Sequence, residues 1–414
     1  MSMRSTWNLG ILLLLVGVVC APAAQAGDWP QILGPQRDGI VTNEQLATDW
    51  SGGGPQDLWQ RPVGDGFAGP AVVDDRVVIF HRVGNEELLE ALDAKTGKSL
   101  WKQAFATSFQ SGYSSDSGPR CTPVIHDGHV YAYGGGGNLH CVALETGKTL
   151  WSRDLFGDFK APDGYFGAGS SPLPVGDRLL VNVGGDGAGI VALSAETGKT
   201  LWQATDERAS YSSPVLAKLR DQELAVFITR LNVVAVTPEN GKEVFRMPFG
   251  ARGPTVNAAN PLVLDGRLFL SASYGVGAKY VDVRAGEPKI VWESDDVMSS
   301  QYSTSVPRGD YLYGVDGRAD FGPTRLRCFE ARTGKVAWTE EDFGMASVIL
   351  VGDQLLCMKT AGELVLAAAS PEGYQQRGRA KLLDGTCRAL PALSNGRFFV
   401  RNENTLKAVA LPTR

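Results

Sequence analysis

The sequence predicts an all-β protein: an eight-bladed β-propeller of four-stranded antiparallel blades, closed by an N-terminal strand in the last blade. Three observations lead there. A turn phrase ending in an aromatic residue recurs along the chain at near-constant spacing. A second phrase, two short apolar strands around a tight turn, occurs eight times. Glycine supplies 50 of 414 residues, well above the usual share, without a collagen period or linker blocks, so it punctuates something folded.

At the N-terminus, Arg4 precedes an apolar run from Leu9 to Cys20, and Ala24-Gln25-Ala26 follows it. A basic start, an apolar stretch and an A-x-A site form the grammar of a secretory signal peptide. A run of 12 residues is too short to span a bilayer as a helix. Cleavage is expected after Ala26, which makes the product periplasmic or secreted. Val19 stands where a lipobox wants a small residue before Cys20. The expected layout is a signal peptide over 1–26, an N-terminal extension over 27–57 and the propeller over 58–414. No transmembrane helix is expected in the mature chain.

The turn phrase is clearest at Leu92-Asp93-Ala94-Lys95-Thr96-Gly97-Lys98-Ser99-Leu100-Trp101. It returns before Trp151 and Trp202, more weakly before Phe245 and Trp338, and with two extra residues before Trp292. Successive aromatics are 50, 51, 43, 47 and 46 residues apart. The physics is a hairpin. An apolar strand enters, and Asp, Glu or Thr starts the turn by bonding its own backbone. Glycine then takes a positive φ, and a second strand leaves with the aromatic.

The second phrase lies at 69–79, 122–131, 171–181, 213–216, 260–269, 305–313, 348–356 and 390–400. Together the two phrases give four short strands per unit of roughly 45 residues, the size of a propeller blade. Such a unit cannot bury both faces alone, so neighbours stack and the aromatics fill the gaps. The last unit stops at Leu411 without a fourth strand. The unclaimed strand Asp57-Leu58-Trp59-Gln60-Arg61-Pro62-Val63 is expected to complete it, covering edges that otherwise pair with other chains.

A formal charge of −5 with no basic stripe argues against nucleic acid. His81, His126, His129 and His140 fall on different faces of the first two units, which argues against zinc. Gly134-Gly135-Gly136-Gly137 lacks the Lys-Ser/Thr and the helix of a phosphate loop. Cys121, Cys141, Cys328, Cys357 and Cys387 form no C-x-x-C pair. Cys141 and Cys328 sit inside apolar strand patterns, where a buried free thiol is the commoner reading, and one disulfide among the five stays open.

The A-x-D-x-x-T-G-K-x-x-W phrase resembles the pyrroloquinoline-quinone (PQQ) repeat family, across about residues 58–411. That family includes quinoprotein dehydrogenases and BamB, a non-catalytic propeller of outer-membrane assembly. Asp28-Trp29-Pro30-Gln31 also resembles the start of many exported PQQ-like propellers. The resemblance implies a monomeric, exported, non-catalytic scaffold that binds envelope proteins or a small ligand, with a BamB-like role as one version. The alternative it implies is a PQQ- and calcium-dependent oxidoreductase acting on alcohols or sugars. The vicinal cysteine pair and the C-x-x-C-H haem motif of such enzymes are absent from this sequence. No cofactor is therefore expected, and no catalytic or metal-ligating residue is assigned.

Propeller ligands usually sit at the channel mouth. Arg120, Tyr165, Tyr211, Arg252, Asn257 and Tyr302 lie just before the first strand of a unit or in the loop leading to it. They are the candidates for a shared polar pocket there. The other reading is that they cap loops and solvate the channel.

Overall fold

A computed structural model describes residues 27–413 apart from Pro254. The expected signal peptide lies outside the described residues. Seven four-stranded antiparallel blades span 71–106, 124–154, 173–204, 215–248, 262–294, 306–340 and 346–381. The eighth joins the three strands of 392–410 to Gln56–Pro62. We number them blades 1 to 8. In blades 1 to 7 the spatial order of the four blade strands is the sequence order. Ring closure joins the two ends of the chain: Gln60 pairs with Lys407 and Arg61 with Leu406 in the antiparallel ladder. The only α-helix among the described residues is Leu155–Phe159, a single turn capped by the Asp154 carboxylate, which accepts from Gly157 N at 3.0 Å.

Burial follows the stacking. The second and third strands of a blade are buried on both faces, as in Arg178–Gly185 and Ala188–Ser194. Each blade is covered by a neighbour on either side, so these strands read as continuous apolar runs rather than alternating ones. The fourth strands alternate between half-buried and exposed residues, as in Thr149–Asp154. Apolar clusters bridge every seam of the ring. One joins blades 7, 8 and 1, and includes Ile349, Phe398, Phe399 and Val77.

The recurring aromatic is a clasp between blades. At six seams a tryptophan indole donates to a backbone carbonyl of the next blade at 2.7–3.0 Å: Trp59 to Ala94, Trp101 to Leu144, Trp151 to Ala195, Trp202 to Pro238, Trp292 to Ala331 and Trp338 to Ser370. At most of them the ring lies flat on the turn glycine of that neighbour. Gly147 has φ 71°, and a β-carbon there would sit 2.6 Å from the Trp101 ring. Glycine therefore serves the turn and the seat together.

Two seams depart from this pattern. Phe245 has no indole N–H to give. Arg220 stacks over its ring at 5.1 Å and donates Nε–H to the Val283 carbonyl at 2.8 Å. In blade 7 the tryptophan position is Gly378, by its pairing opposite Leu366 just before the strand's register shift. Trp50 of the N-terminal extension covers that glycine.

The extension is part of the ring's structure. Trp29 pairs with Val72 of blade 1, and the Pro30 carbonyl accepts from Ile125 N of blade 2. Ile40–Val41 lies parallel to Leu350–Val351 of blade 7. Between them, Arg37 is buried at 1% exposure. It donates to the carbonyls of Ser171 (3.2 Å) and Pro172 in blade 3 and Pro214 (2.9 Å) in blade 4, and to Gln31 Oε1 (2.8 Å). Burial lowers the Arg37 pKa to about 9.

All five described cysteines are free and buried. Desolvation pushes the thiols of Cys141, Cys357 and Cys387 up to about 12.

Candidate functional site

The residue three places before the inner-strand proline repeats around the ring. Phe67, Arg120, Gly169, Tyr211, Ala258 and Arg388 precede Pro70, Pro123, Pro172, Pro214, Pro261 and Pro391 by that distance. In blade 6 Tyr302 holds the same place before its inner strand, Val306–Arg308. All seven line one cavity of about 410 Å³ at the mouth of the channel. The propeller's symmetry converts one sequence position per blade into one ring of side chains. Hairpins of blades 5 and 6 add Tyr274, Arg318 and Asp320, and the extension adds Ile32.

The aromatic wall is held by its own hydrogen bonds. Tyr211 Oη accepts from Phe166 N at 2.9 Å, and its ring packs against Gly169, where a β-carbon would be 2.3 Å away. Tyr302 Oη lies 3.1 Å from Thr360 Oγ1. Burial raises the pKa of both tyrosines, so both stay protonated at neutral pH. Across the cavity, Arg318 stacks on Tyr274 at 4.2 Å and pairs with Asp320 at 2.5 Å. Their hydrogen bond raises the arginine's pKa and lowers the aspartate's. Gln301 donates to Tyr274 Oη (2.9 Å) and Asp320 Oδ1 (3.2 Å), which ties the two hairpins together.

Of the six residues singled out in the sequence, the structure gathers Arg120, Tyr211 and Tyr302 in this cavity. Tyr165 lines an adjoining pocket of about 270 Å³ that shares Tyr211 as a wall. It donates to the Gly253 carbonyl at 3.1 Å and meets Tyr113 edge-on at 4.9 Å. Asn257 is buried behind the wall, donating to the carbonyls of Thr229 (3.1 Å) and Arg230 (3.2 Å), while its neighbours Val256 and Ala258 face the cavity. Arg252 is exposed and lies outside both pockets. Arg388 and Phe67 were missed, although they share the register of Arg120 and Tyr211. The Arg318–Asp320 hairpin has no repeat signature to announce it.

The lining does not fit a calcium-dependent quinone. Among the described residues Asp320 is its one carboxylate, and Arg318 already holds it. Calcium takes six to eight oxygen ligands, carboxylates foremost. Among the described residues no three His, Cys, Asp or Glu groups come close enough to hold a metal ion.

Relatives give the fold a lineage. The family profile described as outer membrane protein assembly factor BamB matches residues 84–340. BamB of Burkholderia pseudomallei is 23% identical over 244 residues, which cover 57% of this chain and 58% of that protein. The chain thus spans about half the length of the curated relatives it matches. The crystal structure of BamB from Moraxella catarrhalis superposes with a TM-score of 0.63 at 17% identity, over 86% of this chain and all of that one. A europium-containing methanol dehydrogenase superposes with a TM-score of 0.69 at 12% identity, over 94% and 98%, a likeness of fold alone. Among the described residues no helix is long and apolar enough to cross a membrane. With its profile match covering more than half of the sequence, the chain belongs to the family described as outer membrane protein assembly factor BamB.

Proposed function

We propose that this protein is an exported, non-catalytic propeller of the cell envelope that serves as a scaffold for envelope proteins, with a role in outer-membrane protein assembly. The observation that carries the reading is the make-up of the channel mouth. Its lining joins aromatic rings and arginines, and among the described residues it offers no paired acid and base and no set of metal ligands. Such a surface recognises and holds, whereas a dehydrogenase needs groups placed to move a proton and a hydride. Membership of the BamB family supports the envelope setting. Periplasmic export, cleavage after Ala26 and a monomeric state belong to the same proposal.

Deleting the gene and following heat-modifiable, folded outer-membrane β-barrel proteins on gels tests it. The reading predicts a fall in folded barrels that the exported protein restores. Unchanged barrel levels contradict it.

A further inference from the structure

We infer that the pocket of about 270 Å³ at the seam of blades 3 and 4 is a binding site in its own right, which takes a small, flat, uncharged molecule with a primary amide or lactam edge through Asn182. The inference depends neither on which envelope protein the propeller contacts nor on what the channel mouth holds.

Asn182 breaks the pattern of the ring. It lies on Arg178–Gly185, the second strand of blade 3, one strand outward from the channel. It stands two residues beyond Leu180, which pairs through Ala192 with the clasp residue Trp202. The same count in blades 1, 2, 4, 6 and 7 reaches Phe80, Tyr133, Ile228, Val315 and Met358, all members of the apolar clusters. Blades 5 and 8 carry Ser271 and Arg401 there, and both are hydrogen-bonded. Ser271 Oγ accepts from Ser300 N at 2.9 Å, and Arg401 donates to the Gly64 carbonyl at 2.6 Å.

Asn182 is 3% exposed, and among the described residues neither its side-chain oxygen nor its nitrogen has a partner. A buried carboxamide left in that state costs the fold stability. A molecule that meets both atoms removes the cost. Strand alternation puts Asn182 on the face of Leu180, whose cluster includes Ala225 and Phe227 of blade 4. The carboxamide therefore faces the seam, where it lines the pocket with Ala209 and Ser210.

The other polar groups around the pocket are turned elsewhere. Ser210 donates to the Ile228 carbonyl. Arg208 donates to the Gly184 carbonyl and pairs with Asp186, both at 2.9 Å. Arg230 donates to the carbonyls of Ala251 (2.9 Å) and Gly253. Asp163 is exposed. The open hydrogen-bonding capacity thus centres on Asn182.

That chemistry selects the ligand. A carboxamide shows an acceptor and a pair of donors side by side. Its complement shows a donor beside an acceptor on one edge, as primary amides and lactams do. A carboxylate would set its oxygens against Asn182 Oδ1 and leave that acceptor unmet. Phe156, Tyr165 and Tyr211 supply aromatic walls, against which a flat ring stacks. Drug-sized sites start at about 300 Å³, so a pocket slightly smaller suits a single ring with its amide.

Titration calorimetry of the purified protein tests the site with three probes: benzamide, N,N-dimethylbenzamide and benzoate. Benzamide binds. The dimethyl compound, which keeps the carbonyl and loses both N–H donors, binds about tenfold or more weaker, and so does benzoate. N182L removes both polar atoms at nearly constant size, and N182S removes the carboxamide without adding bulk. Each weakens benzamide binding about tenfold or more, and N182L melts no lower than the wild type, because it removes an unmet buried amide. R388Q, at an exposed position of the channel mouth, leaves benzamide binding unchanged. The inference is overturned if benzamide does not bind, if either other probe binds as tightly, if the Asn182 variants keep the wild-type affinity, or if R388Q weakens binding as much as they do.

Discussion

Trp50 covers Gly378. A β-carbon on that glycine would lie 2.5 Å from the indole, and Trp50 N donates to the Arg377 carbonyl at 3.2 Å. The seam between blades 7 and 8 thus takes its tryptophan from a segment more than three hundred residues away. Trp50 packs against the apolar cluster shared by blades 7, 8 and 1. Trp50→Ala empties a half-buried site, and the expected cost is about 2 kcal/mol, below the range for a fully buried tryptophan. Gly378→Ala pushes the ring off its seat and is expected to cost a similar amount. Urea unfolding measures both. Wild-type midpoints for the two variants contradict a clasping role for Trp50.

Residues 27–64 hold Trp50, Trp59, Arg37 and the strand Gln56–Pro62 that pairs with Thr405–Ala410. Their removal strips the outer strand from blade 8 and leaves an unpaired edge. It also leaves the carbonyls of Ser171, Pro172 and Pro214 without the Arg37 donors. The combined loss is expected to exceed about 5 kcal/mol, comparable to the whole stability of a typical domain. Size-exclusion chromatography should show aggregated or unfolded material. A truncated monomer that melts at the temperature of the longer chain contradicts the closure.

His140 stacks on Phe105 at 3.7 Å, and burial lowers its pKa to about 4. The unfolded chain takes up this proton near pH 6.5, whereas the native state refuses it until about pH 4. The unfolded state therefore binds more protons in that window, and stability falls as pH drops from 6.5 towards 4. The contribution is about 3 kcal/mol at its fullest. His140→Phe keeps a ring against Phe105 and removes the titration. Its unfolding free energy should fall less steeply between pH 6.5 and 4 than that of the wild type. Parallel curves contradict the assignment.

Most of the ring was legible because one phrase does two jobs. Thr-Gly-Lys fixes a turn, and its glycine seats the preceding blade's tryptophan, so turn and seam repeat together. The strand that closes the ring could be found by elimination, since the eighth unit lacked its fourth strand. The clasp at Gly378 could not. Trp50 belongs to no repeat, and only the folded ring brings it to blade 7. Arg37 was hidden for the same reason, since apart from Gln31 its partners are backbone carbonyls of two distant blades.

The cavity was half legible. Arg120, Tyr211 and Tyr302 stood out as polar or aromatic residues before an inner strand. The controlling rule was the fixed register three residues before the proline, which also marks Phe67 and Arg388. Arg318 and Asp320 sit in a blade 6 hairpin that no other unit copies. Asn257 was a candidate for the same pocket by its place before an inner strand, yet its side chain satisfies two buried carbonyls instead of facing the channel.

The most direct measurement is reconstitution with PQQ and calcium, following thermal unfolding and dye-linked alcohol oxidation together. The channel mouth as described predicts no turnover and no stabilisation by PQQ that depends on calcium. Calcium-dependent stabilisation accompanied by alcohol oxidation would contradict the reading of this propeller as a non-catalytic binding module.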